Sequence, residues 1–129
     1  MSENNQLSGL QLAIMRVLWD RGEATVADVH EVLHRDRGLA PTTVATILTR
    51  LEKRDLLSHR REGRQFIYKA LVSEDEVRKS MVSELTDRVF QGNVAELVGH
   101  LLSEQEITAG DLEVVKQLIE KKAKTHPED

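Results

Sequence analysis

Near residue 56 the spacing of apolar side chains changes, and few small folds accommodate the change. Upstream, apolar residues recur at steps of three and four, the helical period. Downstream, Leu56-Leu57-Ser58-His59-Arg60-Arg61 and Gln65-Phe66-Ile67-Tyr68-Lys69-Ala70 each suit a strand. Between them Glu62-Gly63-Arg64 makes a short basic tip whose glycine can take positive φ. A hairpin therefore follows directly on a helical segment.

That segment divides into three. Leu10, Ile14, Val17 and Leu18 space a first helix over residues 8–21, widened by Ala13 and Trp19 and ended by Gly22. Thr25 with Asp28 is a capping-box variant that opens a second helix over about residues 26–36, striped by Val26, Val29, Val32 and Leu33. Gly38 stops it, and Pro41 suits the first position of a third helix running to about residue 54. Two helices joined by a short turn and followed by a basic hairpin predict a winged helix-turn-helix over residues 1–72.

The third helix carries the most pointed signal. Val44, Ile47, Leu48 and Leu51 form one apolar stripe, while Thr42, Thr46, Thr49 and Lys53 occupy the other side, with Thr43 and Arg50 on a flank. Threonines lower helix propensity and add nothing to the stripe, so they serve the outer face. Their hydroxyls can meet phosphates and base edges, and their methyls can pack on thymine methyls, in a major groove about 12 Å wide. Arg50 can reach a phosphate or a guanine edge, and Lys53 the backbone. Arg60, Arg61 and Arg64 around Gly63 form a second basic element suited to phosphates or a narrow groove. Phe66 and Tyr68 share one face of the second strand and are expected to pack against the helices. The partner these features predict is double-stranded DNA. A solvated helix and hairpin tip is the plain alternative, and it leaves the basic wing without a role.

Charge distribution agrees. The chain of 129 residues has a net charge of −4, but residues 1–70 carry 11 basic and 9 acidic side chains and residues 71–129 carry 7 and 13. Residues 42–69 carry 7 basic and 3 acidic, so the positive charge gathers on the third helix and the hairpin. There is no cysteine, which excludes disulfides and thiolate metal sites. The start MSENNQLSG does not read as a signal peptide, and no apolar run approaches the roughly 18 residues of a membrane helix. A cytoplasmic protein without membrane insertion is expected.

Residues 73–129 read as a helical region. Ser73 with Glu76 is a capping box, and Val77, Met81, Leu85 and Val89 follow four apart until Gly92. Val94, Leu97, Val98, Leu101 and Leu102 stripe a shorter helix. Ser103 with Glu106 is expected to open a last one, where Ile107, Leu112, Val115, Leu118 and Ile119 face one way, and the tail Lys121-Lys122-Ala123-Lys124-Thr125-His126-Pro127 is expected to fray. An appendage of fewer than about 60 residues is marginal alone. A two-fold homodimer relieves this, with Leu85, Val89, Phe90, Leu97, Val98, Leu101, Val115 and Ile119 in its interface and core. The expected class is mainly α: a winged helix-turn-helix DNA-binding domain followed by a C-terminal helical dimerisation region.

One motif points elsewhere. His30-Glu31-Val32-Leu33-His34 matches the H-E-x-x-H of zinc peptidases. Catalysis there needs a third ligand, which only Glu52 or Glu62 of the basic region could supply, and a cleft that a short core helix leaves little room for. Surface or hydrogen-bonded histidines account for the pair more simply, and His59, His100 and His126 have no partners at a telling spacing. Trp19, Met15 and Met81 read as packing residues, and Glu23, Asp28 and Glu31 as surface or capping charge. No nucleophile–base pair, phosphate loop or cofactor fingerprint occurs, so no enzyme, cofactor or metal is expected. A protein-interaction module, such as an antirepressor on the same fold, is the alternative from another class.

The stretches "LQLAIMRVLWDRGEATVADVHEVL", "TTVATILTRLEKRDLL", "GRQFIYKALVSEDEV" and "FQGNVAELVGHLL" together resemble the bacterial penicillinase-repressor family, which includes methicillin-resistance and copper-responsive repressors. The resemblance implies a winged-helix repressor that dimerises through its C-terminal helices and binds a palindromic promoter operator. By position, Thr43, Thr46 and Arg50 fall where such proteins meet the operator, and Ala45 falls where some relatives carry a long basic residue. It also implies a sensor-controlled protease that cuts between an asparagine and a phenylalanine in the dimer helices. The like positions here are His100 and Leu101. The copper-responsive branch carries cysteine pairs near its C-terminus, which this chain lacks.

Overall fold

The computed structural model describes residues 6–104 and 107–125. In chain order its elements are α1 (Gly9–Arg21), α2 (Val26–Arg37), α3 (Pro41–Lys53), β1 (Leu57–Glu62), β2 (Gln65–Ala70), α4 (Glu74–Phe90), α5 (Val94–Glu104) and α6 (Ala109–Thr125). The strands pair antiparallel from Leu57↔Ala70 to Glu62↔Gln65, leaving a two-residue turn in which Gly63 has φ 63°. A glycine at positive φ matches the twist of such a tight hairpin. Ala24 extends the sheet by one bridge, its N–H and C=O exchanging bonds of 3.0 and 2.9 Å with Tyr68.

Local chemistry sets most of the helix ends. Thr25 and Asp28 form the expected capping box at the start of α2, and the hydrogen bond from the Thr25 N–H holds the Asp28 carboxyl below its usual range. Gly38, at φ 63°, ends α2 in the left-handed conformation, and three residues later Pro41 begins α3. Asp55, also left-handed at φ 62°, turns the chain out of α3 and into β1. Ser73 and Glu76 cap α4 as expected, and Gln91 and Gly92 at positive φ end it.

Two expectations about the second half change. Ser103 does not open the last helix. It lies inside α5, where its hydroxyl donates to Gly99 O at 2.9 Å, and its expected partner Glu106 is outside the described residues. Thr108 and Asp111 cap α6 instead, by reciprocal bonds of 3.3 and 3.0 Å. The basic tail does not fray over its first part, because α6 continues to Thr125; His126 and Pro127 lie outside the described residues.

Among the described residues every buried apolar side chain lies between Leu7 and Val77. Ile14, Met15, Val17 and Leu18 of α1 meet Val29 and Leu33 of α2, Val44, Leu48 and Leu51 of α3, and Leu57 and Tyr68 of the hairpin. Trp19 packs on this cluster and its indole N–H donates to Val72 O at 2.9 Å, the core anchor expected of it. The cluster does not stop at residue 72. Val77 belongs to it, Met81 packs against it, and Gln6 Nε2 donates to Ser80 O at 3.2 Å, so the first turns of α4 complete the winged core. Beyond them α4 and α5 pack on each other, and no residue of α6 is buried. No helix among the described residues is long and apolar enough to cross a membrane.

Candidate nucleic-acid interface

Burial divides α3 into two sides. Val44, Leu48 and Leu51 are fully buried, and Thr42, Thr43, Thr46, Thr49, Arg50 and Lys53 are all exposed. Ile47, expected in the buried stripe, is only half-buried. With Thr42, Thr43, Thr46 and Arg50 it lines a shallow depression of about 280 Å³. An aliphatic group at its edge adds a surface for a thymine methyl that the stripe pattern alone did not reveal.

The threonine hydroxyls are narrower in chemistry than their residue type suggests. Thr46 Oγ1 donates to Thr42 O at 2.9 Å, and Thr49 Oγ1 donates to Ala45 O at 3.0 Å. With the proton turned back into the helix, each presents outward a methyl and acceptor lone pairs. Such a group suits the amino edges of adenine or cytosine in the major groove.

The helix start is also distinctive. Side chains cap the N-termini of α1, α2 and α4 through Ser8, Thr25 and Ser73, of α5 through Asn93, and of α6 through Thr108. At α3 the N-cap is Ala40, which makes no side-chain bond. The positive end of the α3 dipole is thus left open, beside Thr42 and Thr43, for an anion such as a phosphate.

Of the seven basic residues in the 42–69 region, Lys69 lies near enough to Glu23 to help lower its carboxyl, and the other six have separate fates. Arg54 turns inward, where Nη2 donates to Gln6 O at 2.5 Å and Nη1 to Gln11 Oε1 at 3.4 Å. Arg60 is held by Glu23 at 2.6 and 3.1 Å and by Glu62 at 3.1 Å. Arg50, Lys53, Arg61 and Arg64 have no carboxylate partner among the described residues. Arg61 Nε donates to Gly63 O at 3.3 Å, and its guanidinium lies 5.8 Å from the Phe66 ring centre. Arg61, Arg64, Gln65 and Phe66 face Thr25, Val26 and Ala27 across a hollow of about 300 Å³ between the wing and the start of α2.

Three assignments from sequence need correction here. Phe66 does not pack into the helices as Tyr68 does. It is 41% exposed, because it pairs with Arg61 near the hairpin tip, beyond the cover of α1 and α2. His59 has a partner: its Nδ1 lies 2.7 and 2.9 Å from the two Glu52 carboxylate oxygens, and its ring makes tilted contacts with Phe66 at 4.4 Å and Tyr68 at 5.4 Å. This pair ties the end of α3 to the wing. Burial, and then the Glu52 charge, pushes the Tyr68 phenol up, so it stays protonated. Glu23 is not idle surface charge, since Arg60 pairs with it.

His30 and His34 sit one turn apart with ring centres 5.0 Å apart. The two carboxylates that could have completed a site are occupied, Glu52 by His59 and Glu62 by Arg60. Among the described residues no three His, Asp or Glu side chains are grouped to hold a metal.

Comparison with known proteins points to one family of repressors. The penicillinase repressor family model matches residues 7–121. The chain is 25% identical over 120 residues to the penicillinase repressor of Bacillus licheniformis, across 93% of this chain and 94% of that one. It is 41% identical over 78 residues to the transcriptional regulator BlaI of Mycobacterium tuberculosis, across 60% of this chain and 56% of that one. Among solved structures, the solution structure of the DNA-binding domain of the repressor BlaI matches with a TM-score of 0.52 and 32% identity, over 59% of this chain and 93% of that chain.

Proposed function

The chain belongs to the penicillinase repressor family and is a DNA-binding transcriptional repressor, and from that premise we propose that two copies bind a palindromic promoter operator, each with α3 in the major groove. The observation that carries the docking mode is the two-sided α3, with one side sealed into the core and the other offering methyls, acceptors and two unpaired cations. Thr46 and Thr49 face the base edges, with Arg50 reaching a phosphate or a guanine. Thr42, Thr43 and Lys53 meet the backbone, and Arg61 and Arg64 of the wing add contacts of the same sequence-independent kind. Acting on the chromosome places the protein in the cytoplasm.

The uncovered apolar residues of the second half support the dimer. Leu85, Val89, Val98, Leu101 and Ile119 are exposed in the single chain, and Phe90, Leu97 and Val115 are only half-buried. Several large aliphatic side chains on adjacent helices seldom stay in water. A second copy brings the same stripes and joins two α3 helices to two half-sites. A sensor-controlled protease cutting between His100 and Leu101 would sever α5 within this stripe and so separate the copies.

The test is a paired titration of wild type and Thr46→Ala against operator and scrambled duplexes at one salt concentration. Cognate affinity should fall by roughly 1–3 kcal/mol, with scrambled binding nearly unchanged. Equal losses on both duplexes would remove Thr46 from base reading. Sedimentation of the full chain without DNA should show a dimer; a monomer at micromolar concentration would overturn the pairing.

A further inference from the structure

We propose that Arg60 is not a DNA contact but a positioning residue, kept off the phosphates by Glu23 and Glu62, and that these two carboxylates set how strongly the wing holds DNA of any sequence. This rests on the reading of β1 and β2 as a DNA-contacting wing.

The geometry is specific. Arg60 meets Glu23 fork to fork, Nη1 to Oε2 at 2.6 Å and Nη2 to Oε1 at 3.1 Å, and Nη2 also reaches Glu62 Oε2 at 3.1 Å. Bidentate charge-assisted pairs of this kind fix orientation as well as distance. Glu23 adjoins Ala24, whose backbone is bonded to Tyr68 of β2. Both strands of the wing are therefore tied to the same two-residue segment, β2 through its backbone and β1 through Arg60. The pair is half exposed and adds little to global stability, so what it sets is the direction of the wing.

The same contacts remove Arg60 from the pool of free cations. Glu23 and Glu62 share the one guanidinium of Arg60, and the only other cation acting on Glu23 is Lys69, which makes no ion pair with it among the described residues. Arg60 holds the Glu23 carboxyl below its usual range, and Glu23 and then Glu62 raise Arg60 further, so the pair of Glu23 and Arg60 stays charged at neutral pH. If Arg60 turned to a phosphate it would strand two carboxylates beside the DNA backbone. Counterions gathering on them would offset the one released from the duplex. Arg61 and Arg64 carry no such cost, since neither has a carboxylate partner among the described residues. The wing thus contributes two phosphate-seeking arginines rather than three. Weak general binding leaves discrimination to α3.

The experiment uses the full chain and a random-sequence duplex titrated over a series of salt concentrations. Arg64→Ala should lower the slope of log affinity against log salt by about 0.9 for each wing engaged. Arg60→Ala should lower that slope by clearly less than Arg64→Ala does, because it removes no phosphate contact of its own and acts only by loosening the wing. Replacing both carboxylates, Glu23→Gln with Glu62→Gln, should tighten binding and steepen the slope by about the same 0.9, because Arg60 is released. Adding Arg60→Ala to that pair should abolish the gain. A slope lowered by Arg60→Ala as much as by Arg64→Ala would overturn the proposal. So would a gain that persists in the triple variant, since the carboxylates would then act by plain repulsion. An unchanged slope for Arg64→Ala would instead sink the wing reading on which the proposal rests.

Discussion

A single stripe on α4 runs through both halves of the molecule and shows how they differ. Val77, Met81, Leu85 and Val89 follow at four-residue steps on one face. Val77 is 2% exposed, Met81 is half-buried, Leu85 is 45% exposed and Val89 57%. The residue types hardly change along the stripe, but the surroundings do. Its first turns close the winged core, and its last turns meet water within the single chain. An apolar pattern specifies that a face is to be buried, not what will bury it. The winged half finds its cover in its own helices and hairpin, and the second half carries the same kind of stripe without cover.

The largest effect that tests this contrast comes from equal truncations on the two sides. Leu48 is fully buried on α3, so Leu48→Ala should cost about 2–5 kcal/mol of stability through lost burial and the cavity left behind. Leu118 on α6 is 60% exposed, and Leu118→Ala should cost only about 0.5 kcal/mol or less in the dissociated chain. Urea unfolding at two protein concentrations reads both numbers. If two copies pair as proposed, the Leu118→Ala deficit should appear only at the higher concentration, where pairing would stabilise the fold. A large deficit at high dilution would mean that α6 is covered within its own chain.

A smaller effect locates the seam between the halves. A chain ending at residue 72 lacks Val77 and the bond from Gln6 to Ser80, whereas one ending at residue 84 keeps both. The shorter piece should be less stable by about 1.5–3 kcal/mol, the worth of burying one such side chain. Both pieces should sediment as monomers and bind a full palindrome far more weakly than the whole chain, having lost the linkage between half-sites. Equal stability of the two would end the winged core at Val72 and give α4 wholly to the second half.

What could be read from sequence follows the range of the forces involved. Capping boxes act over three residues, so Thr25 with Asp28 and Ser73 with Glu76 fixed helix starts in advance. The same motif occurs twice near the end, at Ser103 with Glu106 and at Thr108 with Asp111. Local pattern had no means of choosing between them, and the continuation of α5 through Ser103 decides it. The two-sidedness of α3 was legible because period and residue type coincide. The pairings that shape the wing were not. Arg60 and Glu23 stand 37 positions apart, and Glu52 meets His59 only because Asp55 reverses the chain between them. Alternation placed Phe66 and Tyr68 on one face but could not show that the helices cover only the inner ring.

The smallest effect concerns the start of α3, where the self-contained half leaves a local need unmet. Ala40 provides no side-chain cap to α3, although side chains cap the other five helices. Serine or aspartate there would accept from the N–H of Thr42 or Thr43, Pro41 having none, and each should raise stability by about 1 kcal/mol. If the open end serves the DNA backbone, that gain comes with a loss of binding. Ala40→Ser occupies the donors without adding charge, so it should weaken affinity slightly and equally for operator and scrambled duplexes. Ala40→Asp adds a negative charge where a phosphate would sit, so its loss should be larger and should shrink as salt rises. Thermal unfolding and titration at two salt concentrations measure both sides. Variants that gain stability and bind DNA as wild type does would show that the start of α3 stays clear of the duplex. The missing cap would then be a defect in the winged half rather than a contact left open for a ligand.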